Sequence, residues 1–83
     1  MSERVTRASL DERCANLNRR MAQRGAHVRY TVGHRYDYYA IDRCDTSGMV
    51  LSGPVVAGTK RELADWLHAG MVVLDDAEIY ADR

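Results

Sequence analysis

Apolar residues recur along this chain with changing periods, and each period predicts an element. Leu10, Cys14, Leu17 and Met21 stand at i, i+4, i+7 and i+11, the single narrow stripe of an amphipathic helix. Ser9 and Glu12 fit an S-x-x-E capping box at its start, and Gly25 supplies a left-handed stop. From His27 to Val32 the rhythm becomes strict alternation, which predicts a strand with Val28, Tyr30 and Val32 on one side and His27, Arg29 and Thr31 on the other. Gly33-His34-Arg35 is placed to turn the chain, and Tyr36 to Cys44 reads as a second strand. Asp45-Thr46-Ser47-Gly48 is a turn signal. Met49 to Leu51 opens a third strand, which Gly53-Pro54 bends or ends before Val55-Val56-Ala57. Because proline cannot donate to a ladder, this strand is expected at a sheet edge. Thr59 and Glu62 form a second capping box, and Leu63, Trp66, Leu67, Met71 and Leu74 follow at helical spacing. Gly70 lies inside that pattern, where it either ends the helix early or permits close packing. The segment 75–83 reads as a loosely held acidic tail, with Ile79-Tyr80 as its means of docking on the body.

The predicted order is α-β-β-β-α. Short connections make the strands a three-stranded antiparallel meander. Two helices with one apolar stripe each then pack on one face of it, an α+β class with Leu10, Leu17, Met21, Trp66, Leu67 and the inward strand residues as core. All 83 residues form a single small domain, with 1–8 as a flexible N-terminus and 75–83 as the tail.

Composition narrows this picture. The length excludes a two-domain enzyme, and no run of 18 apolar residues exists to cross a membrane. The charged start Met1-Ser2-Glu3-Arg4-Val5-Thr6-Arg7 predicts no secretory leader, so a cytoplasmic protein is expected. A chain this short buries roughly 60% of its unfolded surface, which means a thin core. Net charge is zero, which argues against a protein that simply coats nucleic acid. The charge is nonetheless uneven: residues 1–36 carry eight arginines against Glu3, Asp11 and Glu12, while 75–83 carry Asp75, Asp76, Glu78 and Asp82 against Arg83. Lys60 is the one lysine among twelve cations, a bias that fits a GC-rich bacterial genome or one of its viruses. Cys14 and Cys44 form no C-x-x-C, no disulfide framework is visible, and His27, His34 and His68 have no ligand spacing with either thiol, so reduced cysteines and no metal are expected.

Catalytic patterns do not occur. There is no G-x-S-x-G, Walker loop, H-E-x-x-H or G-x-G-x-x-G. Gly53 to Lys60 resembles a phosphate loop only superficially, since it lacks the Gly-Lys-Ser/Thr ending and Thr59 serves as a helix cap. Asp37 and Asp42, five apart on a strand, project from opposite faces, and His34 in a turn reads as a surface residue. No enzyme, catalytic residue or cofactor is predicted.

The unusual segment is His34-Arg35-Tyr36-Asp37-Tyr38-Tyr39 followed by Arg43, in a protein with five tyrosines and no phenylalanine. Strand parity places Tyr39 and Ile41 inside and Tyr36 and Tyr38 on the open face. Three readings compete for that face. In the first, the tyrosines only cover their strand neighbours. In the second, Arg35, Tyr36, Tyr38 and Arg43 bind a protein partner, since tyrosine and arginine dominate interface hot spots. That partner is a host or viral protein, or a second copy in a C2 homodimer, with Met49, Val50 and Leu51 apolar at both parities. In the third, Arg29, Arg35, Tyr36, Tyr38 and Arg43 bind single-stranded nucleic acid by stacking and phosphate contacts. Net neutrality, Asp37 and Asp42, and the lack of an RNP or KH pattern weigh against the third reading.

Gly58-Thr59-Lys60-Arg61-Glu62-Leu63-Ala64-Asp65-Trp66-Leu67, taken with Tyr38-Tyr39-Ala40-Ile41-Asp42 and Leu17-Asn18, is similar to a loose group of short proteins encoded in bacteriophage and prophage genomes. Members share a leading helix ending near an Asn and Gly, a strand meander with paired aromatics, and a final T-K-R-E-L helix. The resemblance spans about two-thirds of the chain, and its most specific part is the ten-residue helix start. His68-Ala69-Gly70-Met71 stands where the group has a phenylalanine. The resemblance implies a phage-type accessory protein acting by stoichiometric binding to a host or viral macromolecule, anti-defence and anti-CRISPR action included. It carries over no catalytic or binding residue.

Overall fold

The computed structural model describes residues 4–81, the side chains of 78–81 excepted. Helix α1 (Arg7–Gln23) leads into strands β1 (Val28–Arg35), β2 (Tyr38–Asp45) and β3 (Val50–Gly58), and helix α2 (Lys60–Ala81) follows. The strands form one antiparallel sheet in the order β1-β2-β3. The α-β-β-β-α meander expected from the hydrophobic pattern is the observed fold.

Helix α1 starts one turn earlier than the Ser9–Glu12 box predicts. Thr6 is the N-cap: its hydroxyl accepts from the Ser9 amide at 3.1 Å, while the Ser9 hydroxyl oxygen accepts from the Thr6 amide at 3.1 Å. A reciprocal pair three residues apart satisfies two orphan donors as well as a glutamate would, so Arg7 and Ala8, expected in the lead-in, are helical. The C-terminal stop is as expected. Gly25 has a φ of +81°, its amide bonds Ala22 O at 3.0 Å and the Ala26 amide bonds Met21 O at 3.0 Å, the paired bonds of a Schellman motif.

At the head of α2 the Thr59–Glu62 box forms: the Glu62 amide donates to the Thr59 hydroxyl at 3.2 Å and Glu62 Oε1 accepts from the Thr59 amide at 3.4 Å. The returning carboxylate passes over Gly58, where a Cβ would lie 2.5 Å from Glu62 Oε2. A side chain there would have to displace the end of Glu62, and the φ of +154° at Gly58 itself favours glycine. Gly70 does not stop the helix, and α2 continues to Ala81, so residues 75–81 are helical rather than a loose tail. The expected docking of Ile79 and Tyr80 lies outside the described side chains.

The first hairpin differs from the expectation. β1 runs through Gly33-His34-Arg35, with His34 opposite Tyr39 and Arg35 opposite Tyr38, and the turn residues are Tyr36 and Asp37. Cross-strand pairing outweighs the glycine signal here, because Gly33 sits opposite Ala40 in regular register. The second turn is where predicted. Asp45 Oδ1 accepts from the Ser47 amide at 2.9 Å and the Met49 amide at 3.0 Å, and bonding first from the Ser47 hydroxyl and then from the Met49 amide holds the Asp45 carboxyl below its ordinary range. β3 passes through Pro54 without ending, but its register shifts between Ile41 and Cys44 of β2.

Both helices lie on the sheet side that carries Tyr30, Val32, Tyr39, Ile41 and Val56. Leu10, Cys14 and Leu17 of α1 join Ile41 and Leu63, Ala64 and Leu67 of α2 in one buried cluster, with Met21 and Trp66 half-buried against it. Leu17 meets Gly70 and Arg20 pairs with Asp75, so the two helices run in the same direction.

Candidate functional site

With both helices on one side, the other side of the sheet has no helix over it. Register sets its rows. Arg35 stands opposite Tyr38; Gly33, Ala40 and Ala57 lie side by side across all three strands; Thr31 stands opposite Asp42; and Arg29, Cys44 and Val50 form the far row. The guanidinium of Arg35 pairs with Asp42 Oδ2. The row of small residues lies between the two, and Ala40 in it is wholly buried.

Asp42 is itself buried, and its second oxygen, Oδ1, has no hydrogen-bond partner among the described residues. Cys44, two residues along, is buried with its sulfur 3.6 Å from the Thr31 hydroxyl. Arg29 turns back on its own backbone, donating from Nη1 to Ala26 O at 2.9 Å and Val28 O at 2.8 Å. Tyr38 is partly exposed on this face. Tyr36, in the turn beside it, is 94% exposed and has a φ of +54°. A positive φ at the first central residue alone is the pattern of a II′-type turn, where glycine is favoured.

The predicted site residues are therefore divided. Arg35 and Tyr38 share the open face, and Tyr36 adjoins them from the turn rather than from a strand. Arg43 stands opposite Tyr30, on the helix side of the sheet. For the nucleic-acid set this removes the shared surface: Arg29 is engaged with backbone, Arg35 with Asp42, and Arg43 faces the other way. The residue missed from sequence is Asp42 as the partner of Arg35. Its signal was present, since with Tyr36-Asp37 as the turn both side chains fall on one face. Assigning Arg35 to the turn concealed it.

The helix side has two further features. His34 stacks on Tyr39 with ring centroids 4.4 Å apart, and Lys60 Nζ lies 5.8 Å from the Tyr39 centroid. Toward the other end, an apolar cleft of about 360 Å³ opens between the helices and β1, bounded by Leu17, Met21, Tyr30, Trp66, Val73 and Leu74. Both cysteines are free and buried. Burial, then the Asp11 charge and Cys44, push the Cys14 thiol up to about 11, and its sulfur donates to Tyr30 O at 3.0 Å. Among the described residues no group of three His, Cys, Asp or Glu side chains could hold a metal, and no helix is long and apolar enough to cross a membrane. Comparison with protein-family models, with curated proteins and with solved structures finds no match to this chain.

Proposed function

We propose that the protein is a stoichiometric protein-binding module that docks its partner on the Tyr36–Tyr38 end of the open sheet face. Tyr36 carries this reading. A large aromatic ring is held almost fully in solvent, in a backbone conformation that costs a non-glycine residue roughly 1–2 kcal/mol, and packing within the protomer does not offset that cost. Strain retained at an exposed position is a mark of function. Tyr38 and the Arg35 stem beside it add rigid amphipathic area of the kind that anchors interfaces. The resemblance to bacteriophage and prophage proteins supplies the context: a phage-type accessory protein in the host cytoplasm, its partner a host or viral protein, its effect anti-defence or anti-CRISPR.

The test is capture from an actinobacterial lysate with the tagged protein and with the Tyr36→Ala/Tyr38→Ala variant, each with and without nuclease. A protein retained stoichiometrically by the parent, insensitive to nuclease and weakened by at least about 2 kcal/mol in the variant supports the reading. Equal retention by both forms removes this face from the interface. Retention of nucleic acid alone, lost with nuclease, transfers the function to the nucleic-acid class.

A further inference from the structure

The apolar cleft between the helices and β1 has unused polar groups in its wall. Tyr30 and Trp66 meet there edge to face, with ring centroids 5.3 Å apart, beside Leu17 and Met21. Neither the Tyr30 hydroxyl nor the Trp66 indole N–H has a hydrogen-bond partner among the described residues, and neither atom is sealed from solvent. Such tips usually find a partner within the fold where their rings are enclosed. The space of about 360 Å³ falls in the lower part of the range of ligand cavities, and a mainly apolar wall with a few polar groups is their usual makeup.

Arg43 adds a charge beside this wall. Asn18 takes both backbone groups of Tyr30, accepting from its amide at 2.8 Å and donating to its carbonyl at 2.8 Å. Tyr30 and Arg43 are therefore a non-hydrogen-bonded pair, the closer kind, with Cα atoms about 4.5 Å apart and side chains that are neighbours on the helix side of the sheet. Arg43 is exposed there, and its guanidinium has no hydrogen bond or ion pair among the described residues. Asp45, two residues along on the same side, turns instead into its own loop, where it accepts from the Ser47 and Met49 amides. Arg20, beside Met21, is paired with Asp75, beside Leu74, and no acidic side chain lines the cleft. The uncompensated charge next to Tyr30 is thus positive.

We infer that this cleft binds a small carboxylate with an aromatic or short aliphatic body. The body lies against Leu17, Met21 and the Trp66 ring, and the carboxylate accepts from the Arg43 guanidinium, with the Tyr30 hydroxyl or the Trp66 indole N–H as a second donor. A cation beside two unused neutral donors selects a group that only accepts, and guanidinium and carboxylate are matched in geometry. The apolar wall selects against ligands with a second charge, which would enter it unpaired. The cleft lies on the opposite side of the sheet from Tyr38, so the inference stands apart from the proposed function.

Trp66 is the only tryptophan of the chain, so its emission reports on the cleft directly. The probes are hydrocinnamate and its uncharged counterpart hydrocinnamyl alcohol, each titrated to about 10 mM, a range suited to ligands of this size. The expected result is a saturable change with hydrocinnamate and affinity about tenfold lower for the alcohol. Arg43→Gln should weaken the acid about tenfold and leave the alcohol unchanged, with the parent circular dichroism spectrum, since Arg43 has no bond within the fold to lose. Ala69→Leu, at an exposed position of α2 that lines the cleft, should weaken both probes by filling the space. If Ala69→Leu alters the spectrum, the Arg43→Gln comparison decides alone. Absence of saturation with either probe overturns the inference. So does equal affinity for acid and alcohol, an acid affinity unchanged in Arg43→Gln, or binding that a folded Ala69→Leu leaves intact. Trp66 emission that shifts with protein concentration alone, as the sedimenting mass doubles, gives the cleft to a second copy and overturns it as well.

Discussion

A buried carboxylate needs donors for both oxygens, and Asp42 has Arg35 on one of them only. Removing the guanidinium would leave the carboxylate wholly unpaired, the costly way to break such a pair. Arg35 is more than a third exposed, so solvent reduces the loss, and Arg35→Ala should destabilise by about 1–3 kcal/mol. Arg35→Ala combined with Asp42→Ala removes the orphan and should recover part of that loss, which urea denaturation of the single and double variants measures. A double variant no more stable than Arg35→Ala would refute the account. Cys14 makes a pH prediction of definite sign. Its folded thiol titrates at about 11 against an ordinary 9.0, so below pH 9 neither state ionises and the stability it contributes is complete. As pH rises from 9 toward 11 the unfolded thiol ionises first, and stability falls. Cys14→Ser lacks a titrating thiol there. Denaturation at about pH 8 and about pH 11 should show a smaller alkaline loss for the serine variant than for the parent.

Helices were legible in the sequence because their signals are local. The Thr59–Glu62 box, the Gly25 stop and the Leu10-Cys14-Leu17 stripe each depend on residues within a few positions, and all three appear as read. Thr6–Ser9 displaced Ser9–Glu12 because two overlapping boxes are both chemically sound and only one helix start can form. Strand register was less legible. Gly33 signals a turn in isolation, yet the pairing of Arg35 with Tyr38 and of His34 with Tyr39 decides the hairpin. The Arg35–Asp42 pair followed from that register and so escaped the sequence reading. Gly70 offered two outcomes, early termination or close approach, and the structure shows neither: the helix runs on, and a Cβ there would lie 3.6 and 3.7 Å from the Leu17 methyls. Those are ordinary packing distances in a helical position. Gly70→Ala should therefore raise stability by about 0.5–1 kcal/mol through helix propensity and a less flexible unfolded chain. A higher urea midpoint at unchanged slope is the expected result. A loss of stability would mean that the helices lie closer than described.

At the scale of the molecule, folding cancels much of the charge asymmetry that the sequence displays. Read linearly, the chain is basic in front and acidic behind. Parallel packing of α1 and α2 brings the basic end of the first helix beside the acidic end of the second, and Arg20 pairs with Asp75 at the seam. The front-to-back dipole thus becomes a local neutralisation, so a continuous cationic surface is not expected at the end of α1. This bears on the nucleic-acid reading independently of the strand arginines, because phosphate binding draws its affinity from such surfaces and weakens steeply with salt. The parent protein should therefore pass through a polyanion column at about 0.1 M salt, where fields reach only about 10 Å. Asp75→Lys removes the counter-charge from the seam. Stability should fall by no more than about 1 kcal/mol, since Asp75 is largely exposed, while the variant should bind the column and elute with added salt. If the parent itself binds and elutes with salt, the basic residues of α1 do form a continuous surface, and the nucleic-acid reading gains the support that the strand geometry withholds.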